Sequence, residues 1–185
     1  MDIKRFQRAL VVFDHVIWND VSGIVDTQTI AVLEKFSRLR YVLCHNLAPE
    51  RSETTNHMDY TRNDLSVIDL KNFFEAAIKK LRDLGISPER IILDPCFGFS
   101  KSYDQNISLL ESISSIADIH PHWLIGISKN SFLQKLVQAD SPELSKEQLI
   151  AHSELIHWDF LKRLSYAFLG KTLYFRVHEV GNITT

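Results

Sequence analysis

The sequence predicts an α/β fold: a parallel sheet with helices packed against it. Three observations carry that expectation. Short apolar runs alternate with helix-period segments, giving strand–helix repeated four times and then a fifth strand. The strands read as mostly continuous apolar runs, the pattern of a parallel sheet covered on both faces. Polar residues cluster immediately after the strands, at Asn19, His45, Asp94, Ser128 and Arg176/His178. The ends of parallel strands lie on one side of the sheet, so these separated positions are expected to converge there.

Taken in order, residues 3–12 predict a short helix, with Phe6, Ala9, Leu10 and Phe13 at helical spacing. Val16-Ile17-Trp18 is a strand ending in the turn-forming run Asn19-Asp20-Val21-Ser22-Gly23. Asp26 or Thr27 can cap a helix that runs to about Leu39. Tyr41-Val42-Leu43-Cys44 is the second strand. Residues 46–63 are polar and aperiodic, a loop long enough to be functional or disordered. Asp64 is the expected cap of a strongly periodic helix through Leu84, with Gly85 after its end. Its apolar stripe is Leu65, Ile68, Phe73, Ala77, Ile78, Leu81 and Leu84, and Phe73 and Phe74 belong to the core. Ile91-Ile92-Leu93 is the third strand, a helix spans about 104–116, and the fourth strand is Trp123-Leu124-Ile125-Gly126-Ile127. Ser128 is the expected cap of the next helix, to about Ala139. Ser145-Lys146-Glu147-Gln148 has the form of a capping box opening a helix to Leu169, before Gly170. Residues 172–177 form the last strand.

A chain of 185 residues is one domain's worth, and a single domain over 1–185 is expected. A net charge of −2 gives no electrostatic footprint for nucleic acid or an anionic membrane surface. No apolar run approaches the ~18 residues of a membrane span. Two cysteines, Cys44 and Cys96, stand in no paired motif, which fits a reducing compartment, and a cytoplasmic protein is expected.

The richest stretch is Asp94-Pro95-Cys96-Phe97-Gly98-Phe99-Ser100-Lys101, at the end of the third strand. An ionised Asp94 can accept two hydrogen bonds from an amidine-like edge. Asn19 offers a donor and an acceptor, and Phe97 and Phe99 can stack on a flat ring. Arg176 and His178, two apart on a strand, share a face. With Lys129 and the helix N-terminus after Ser128 they make an anion site. The set describes a pocket for a planar heterocycle beside a phosphate-like group. Cys96 reads as a small loop residue with no basic partner to activate it. His152 and His157, five apart, do not share a helix face, and no metal-ligand set is assigned.

Four segments together carry a family resemblance. Ile91–Lys101 resembles the Asp-Pro-Gly-x-Gly-Phe-x-Lys signature of dihydropteroate synthases. Asn19–Gly23 resembles their Asn-Asp-Val-Ser-Gly segment. Gly126–Phe132 resembles Gly-x-Ser-Arg-Lys-Ser, and Phe175–Val180 resembles Arg-Val-His-Asp-Val. The segments come in the family's order across almost the whole chain. The resemblance implies a TIM-type (β/α)8 barrel and a transferase of folate synthesis. Such enzymes join 6-hydroxymethyl-7,8-dihydropterin pyrophosphate to p-aminobenzoate and release pyrophosphate. It implies that Asn19 and Asp94 hold the pterin edge, with Phe99 lining the pocket and Gly126 admitting the ring against backbone. Arg176, His178 and Lys129 would hold the pyrophosphate, and Ser128 and Lys129 would lie on the p-aminobenzoate side.

The chain departs from the family pattern in three places. The family's pterin-binding lysine falls on Asn130, and Cys96 stands in place of a glycine. The family's first two strands, with the loop carrying its magnesium-binding asparagine, have no counterpart, nor does its last helix. Mg2+ is therefore implied by the family while its ligand loop is absent. The expectation is an incomplete barrel of about five parallel strands, weak or inactive as a synthase alone. It is expected to form a homodimer or to need a missing amino-terminal segment. Two alternatives stand beside synthase activity: a non-catalytic remnant that binds pterin weakly or assembles with a partner, and the pterin domain of a methyltetrahydrofolate-dependent methyltransferase. The Arg-Val-His segment suits a pyrophosphate leaving group and favours the synthase.

Overall fold

The structure is a computed structural model that describes residues 3–128 and 130–176. Five parallel strands form one sheet in the order β1-β2-β3-β4-β5: Val16–Asp20, Leu39–Cys44, Ile91–Asp94, His122–Ile125 and Thr172–Phe175. Helix α1 (Ile3–Val12) precedes β1, and α2 (Thr27–Lys35) links β1 to β2. Helix α3 (Val67–Asp83) leads to β3, α4 (Tyr103–Ser112) to β4, and α5 (Ser131–Asp140) with α6 (Lys146–Ala167) to β5. Every consecutive strand is the neighbour of the last, and the order never reverses as it does in a doubly wound sheet.

That order puts the helices on one face of the sheet. Leu39, Tyr41, Leu43, Ile91, Leu93, Trp123 and Ile125 point into the main core, where they meet Leu33, Phe74, Leu109, Phe132 and Leu161 of the helices. The alternate residues Val42, Ile92 and Leu124 form a second, smaller cluster on the opposite face with Cys44, Cys96, Val21, Phe99 and Tyr174. Its described members all come from strands and the loops after them. The sheet is curled around this second face. Arg40 of β2 hydrogen-bonds the Tyr174 hydroxyl of β5, with its guanidinium 5.3 Å from the ring centroid. Three strand spacings in a flat sheet are about 14 Å, so the contact crosses a concave surface. Five strands thus make an arc of a barrel, as expected.

Local sequence chemistry sets the element ends. Asp26 caps α2 by accepting from Thr29 N–H, and Ser145 with Gln148 forms the expected capping box of α6. Four expectations are corrected. The cap of α3 is Ser66, reciprocated by Asp69; Asp64 is instead paired with Arg62. Two members of the expected stripe also leave it: Ile68, two residues from buried Leu70 and so off its face, is 65% exposed, and Leu84 at the helix end is 43% exposed. Asn130 rather than Ser128 holds the N-cap position of α5, and its side chain makes no capping bond there. Residues 51–60, expected to be irregular, form a 3₁₀ segment, Arg51–Tyr60.

Candidate functional site at the strand ends

The concave face opens at the carboxyl ends of the strands, and Asp94 stands at its centre. It is the last residue of β3 and is buried. One oxygen, Oδ1, accepts Cys96 N–H at 2.7 Å, closing an Asx turn over Pro95. The other, Oδ2, lies 3.8 Å from the Cys44 thiol. Burial pushes the Asp94 pKa up; the Cys96 N–H and the charges of Arg176 and Lys101 pull against that rise. The loop after Asp94 is tightly wound. Cys96 and Ser100 both sit at φ +51°, a left-handed conformation that costs a side chain about 1–2 kcal/mol. Cys96 occupies this conformation where the resembling segment has glycine.

Lys101 holds the loop closed. Its ammonium group is buried and donates to the carbonyls of His45, Cys96 and Phe99 at 3.1, 3.1 and 2.9 Å. Burial lowers its pKa to about 8, against the pull of Cys96 and Asp94. Phe99 projects towards the concave cluster, and the His57 ring lies 4.3 Å from it, tilted by 31°. Ser100 donates its N–H to His57 Nδ1 at 3.2 Å and its hydroxyl to His57 O at 2.8 Å. The 3₁₀ segment is thereby fastened over the Asp94 loop.

The β1 loop is organised by Arg51, which belongs to no motif singled out above. Arg51 donates to Asp20 Oδ2 at 2.6 Å, Ser22 Oγ at 2.7 Å and Ile24 O at 2.7 Å, and also reaches Asp26 and Thr29. Asp20 in turn accepts from Ser22 and from the Tyr41 hydroxyl. This network fixes residues 20–29 and leaves Asn19, one residue earlier on the opposite face of the strand, turned to the concave side. Asn19 is exposed, with Oδ1 3.7 Å from the Cys44 thiol.

Across the sheet, Arg176 follows β5 and lies over Gly126. A Cβ built on Gly126 would stand 3.3 Å from Arg176 Nε, so glycine gives the guanidinium its room. That Nε is buried and has no hydrogen-bond partner among the described residues. Asn130 donates to Phe97 O and Gly126 O at 3.4 and 3.3 Å, spending on the backbone the donor that stands at the family's lysine position. Ser128 is buried at the turn before α5. Lys129 and His178 lie outside the described residues.

Of the strand-end positions expected to converge, Asn19, Asp94 and Arg176 share this face, where Gly126 and Phe99 join them, while Ser128 is buried at the turn before α5. His45 does not. It is buried on the helix side, edge-on to Phe73 at 4.8 Å between centroids, and burial holds its pKa well below the ordinary histidine value. The sequence reasoning also missed the pairing of Cys44 with Cys96, whose thiols and the Asp94 carboxylate lie within 4.8 Å of one another.

Comparison with known proteins agrees with this geometry. The family described as pterin binding enzyme matches residues 1–165. The chain is 31% identical over 125 residues to the dihydropteroate synthase of Synechocystis sp., covering 68% of this chain and 42% of that protein. It is 26% identical over 166 residues to that of Streptococcus pyogenes, covering 89% of this chain and 54% of the relative. Among solved structures, Thermus thermophilus dihydropteroate synthase in complex with 4-aminobenzoate superposes with a TM-score of 0.70 at 26% identity, covering 96% of this chain and 62% of that one. The Xanthomonas albilineans enzyme with 4-aminobenzoic acid gives 0.67 at 25% identity, over 95% and 56%. The chain spans about half the length of the curated relatives it matches. The family match extends over residues 1–165, most of the chain, and the chain belongs to the pterin binding enzyme family.

Proposed function

We propose that this chain forms the pterin and pyrophosphate half of a dihydropteroate synthase site, with 6-hydroxymethyl-7,8-dihydropterin pyrophosphate and p-aminobenzoate as its substrates. The observation that carries the reading is the pairing of opposite needs on one face. Asp94 is a buried carboxylate whose Oδ2 meets only the long, weak 3.8 Å contact of the Cys44 thiol among the described residues, and Arg176 is a guanidinium whose buried Nε has no partner among the described residues. A pterin presents a donor edge to the first, and a pyrophosphate presents oxygens to the second. In the reaction the bond from the pterin methylene carbon to the pyrophosphate oxygen breaks, and its electron pair leaves on oxygen. The arylamine nitrogen then bonds to that carbon and sheds a proton to solvent. Asp94 and Asn19 orient the ring, and Phe99 stacks beside it. Arg176, joined by Lys129 and His178, neutralises the charge that grows on the leaving oxygen, where preorganised electrostatics contribute most. Ser128 and Lys129 complete the p-aminobenzoate side.

Magnesium, which the family implies, needs an all-oxygen set. The acid-and-thiol group at the β2 and β3 ends offers two sulfurs, does not fit that ion, and no step is drawn through it. No helix among the described residues is long and apolar enough to cross a membrane, and a cytoplasmic site of action is part of the proposal.

Arg176→Ala separates the two halves of the site. It should weaken binding of pterin pyrophosphate at least tenfold, the loss of a charged hydrogen bond worth about 1.5–3 kcal/mol, while free pterin is affected little. Equal losses for both ligands would remove Arg176 from the anion role.

A second reading, an incomplete unit that binds pterin and assembles with a partner, is favoured by exposed apolar surface. Ile17 on β1 and Phe175 on β5 are each 41% exposed, at the two edge strands of the sheet. Unpaired edges and apolar patches favour association. The two readings part in one experiment on purified 1–185. Light scattering should give a mass above the monomer, and condensation with p-aminobenzoate should be slow or undetectable. A stable monomer turning over at about 1 s⁻¹ or faster would overturn the second reading and establish full synthase activity.

A further inference from the structure

The strand ends bring together two thiols for which the proposed reaction has no use. Cys44 ends β2, and Cys96 lies in the loop after β3. Their sulfurs and an Asp94 oxygen all lie within 4.8 Å of one another, and all three residues are buried. Two features bring them there. Cys44 alternates with Tyr41 and Leu43, which face the helices, so its thiol points to the concave side. Cys96 is folded back by its left-handed backbone and by the bond from its N–H to Asp94 Oδ1. Packing alone does not account for cysteine here, because glycine takes that backbone without strain.

We propose that Cys44, Cys96 and Asp94 form a binding site for one thiophilic divalent cation. Two sulfurs and a carboxylate are a soft-to-borderline donor set, suited to Zn2+ and its analogue Cd2+ and unsuited to Mg2+. Bond lengths of about 2.3 Å to sulfur and about 2.1 Å to oxygen place tetrahedral ligand atoms somewhat closer than the present cluster, so a small contraction completes the site. Three protein ligands leave a fourth position for water, on the side where Asn19 Oδ1 lies 3.7 Å from the Cys44 sulfur. Each thiol gives up its proton to solvent as it ligates, so binding releases two protons. The cation takes one Asp94 oxygen, and it therefore competes with any other ligand of that atom. The site goes beyond the pterin reading and does not depend on it.

The test uses the full chain, reduced with a phosphine and stripped on a chelating resin, with two free thiols verified beforehand. Titration with Cd2+ in the absence of pterin should saturate at one equivalent per chain and develop the ultraviolet charge-transfer band of two cadmium–thiolate bonds. Zn2+ should abolish that band by displacement. Cys44→Ser and Cys96→Ser should each lower its intensity by about half and weaken binding at least tenfold. Cys96→Gly, which suits the left-handed backbone and should keep the native circular dichroism, should do the same. No band in the reduced wild type, or a band at full strength in a folded Cys96→Gly protein, would overturn the site. Because the readout is the metal–thiolate bond, failure of pterin binding leaves this result intact.

Discussion

Asp94→Asn should weaken pterin binding at least tenfold, measured by calorimetry with a reduced pterin, and leave the fold unchanged. The substitution keeps what the structure needs and removes what the ligand needs. Asparagine Oδ1 can still accept Cys96 N–H, so the turn over Pro95 survives. The second position changes from an anionic acceptor to a neutral amide. A hydrogen bond to a charged group contributes about 1.5–3 kcal/mol, or roughly 10- to 150-fold in affinity. Acidity bears on the same atom. Burial raises the folded-state pKa of Asp94 above its ordinary value. The group's contribution to folding stability is then complete at pH below the unfolded pKa and is lost as pH rises through the folded one. Pterin affinity runs the other way: it needs the carboxylate and should fall as the solution is acidified through that raised pKa. Native circular dichroism with undiminished affinity in the asparagine variant would end the assignment.

The inner strands β2, β3 and β4 were legible because they are buried along nearly their whole length, which forces an apolar run with no competing period; the edge strands β1 and β5 keep exposed residues and were read from their place in the alternation. The side to which a strand-end residue points was not. Asn19 and Asp20, or Cys44 and His45, are neighbours in sequence, yet a period of two sends one to the concave face and the other towards the helices. "Polar and just after a strand" therefore found the right end of the sheet and assigned His45 to the wrong side. The concave residues could be named where a four-segment resemblance fixed the phase, as at Asn19, Asp94 and Arg176. Cys44 had no such guide, and its nearness to Cys96 is set by the β2–β3 register, Cys44 opposite Asp94.

The segment 51–60 was illegible for another reason. Its ten residues lack an apolar period, and none of them is fully buried. Contacts from elsewhere hold it: Arg51 to the β1 loop at one end, and His57 to Phe99 and Ser100 at the other. Order imposed by tertiary polar contacts leaves no periodic trace in the sequence that receives it.

Arg51→Ala should destabilise the chain by about 2–4 kcal/mol, a large part of the roughly 5–15 kcal/mol that folded domains have to lose. Arg51 is only 27% exposed, and Asp20 beneath it is 7% exposed. Removing the guanidinium leaves a buried carboxylate supported by Ser22 and Tyr41 alone, which places the effect near the lower end for a broken buried pair. In a domain of this size the melting temperature should fall by roughly 4–16 °C. Arg51→Lys should recover little, because an ammonium cannot span Asp20, Ser22, Ile24 and Asp26 as a planar fork does. Asp26 supplies an independent readout. Burial raises its pKa, but the Thr29 N–H and Arg51 outweigh that and hold it at about 2, below the ordinary 3.8. Its stabilising contribution is therefore present above the ordinary value and lost as pH falls towards 2. Without Arg51 the Asp26 pKa should rise, and acid unfolding should begin at higher pH. Asn19 is the residue directly before this network, so pterin affinity should fall as well, although Arg51 does not face the concave side. A variant within 1 kcal/mol of wild type, with its acid limb unmoved, would show that the β1 loop is held by something other than this arginine.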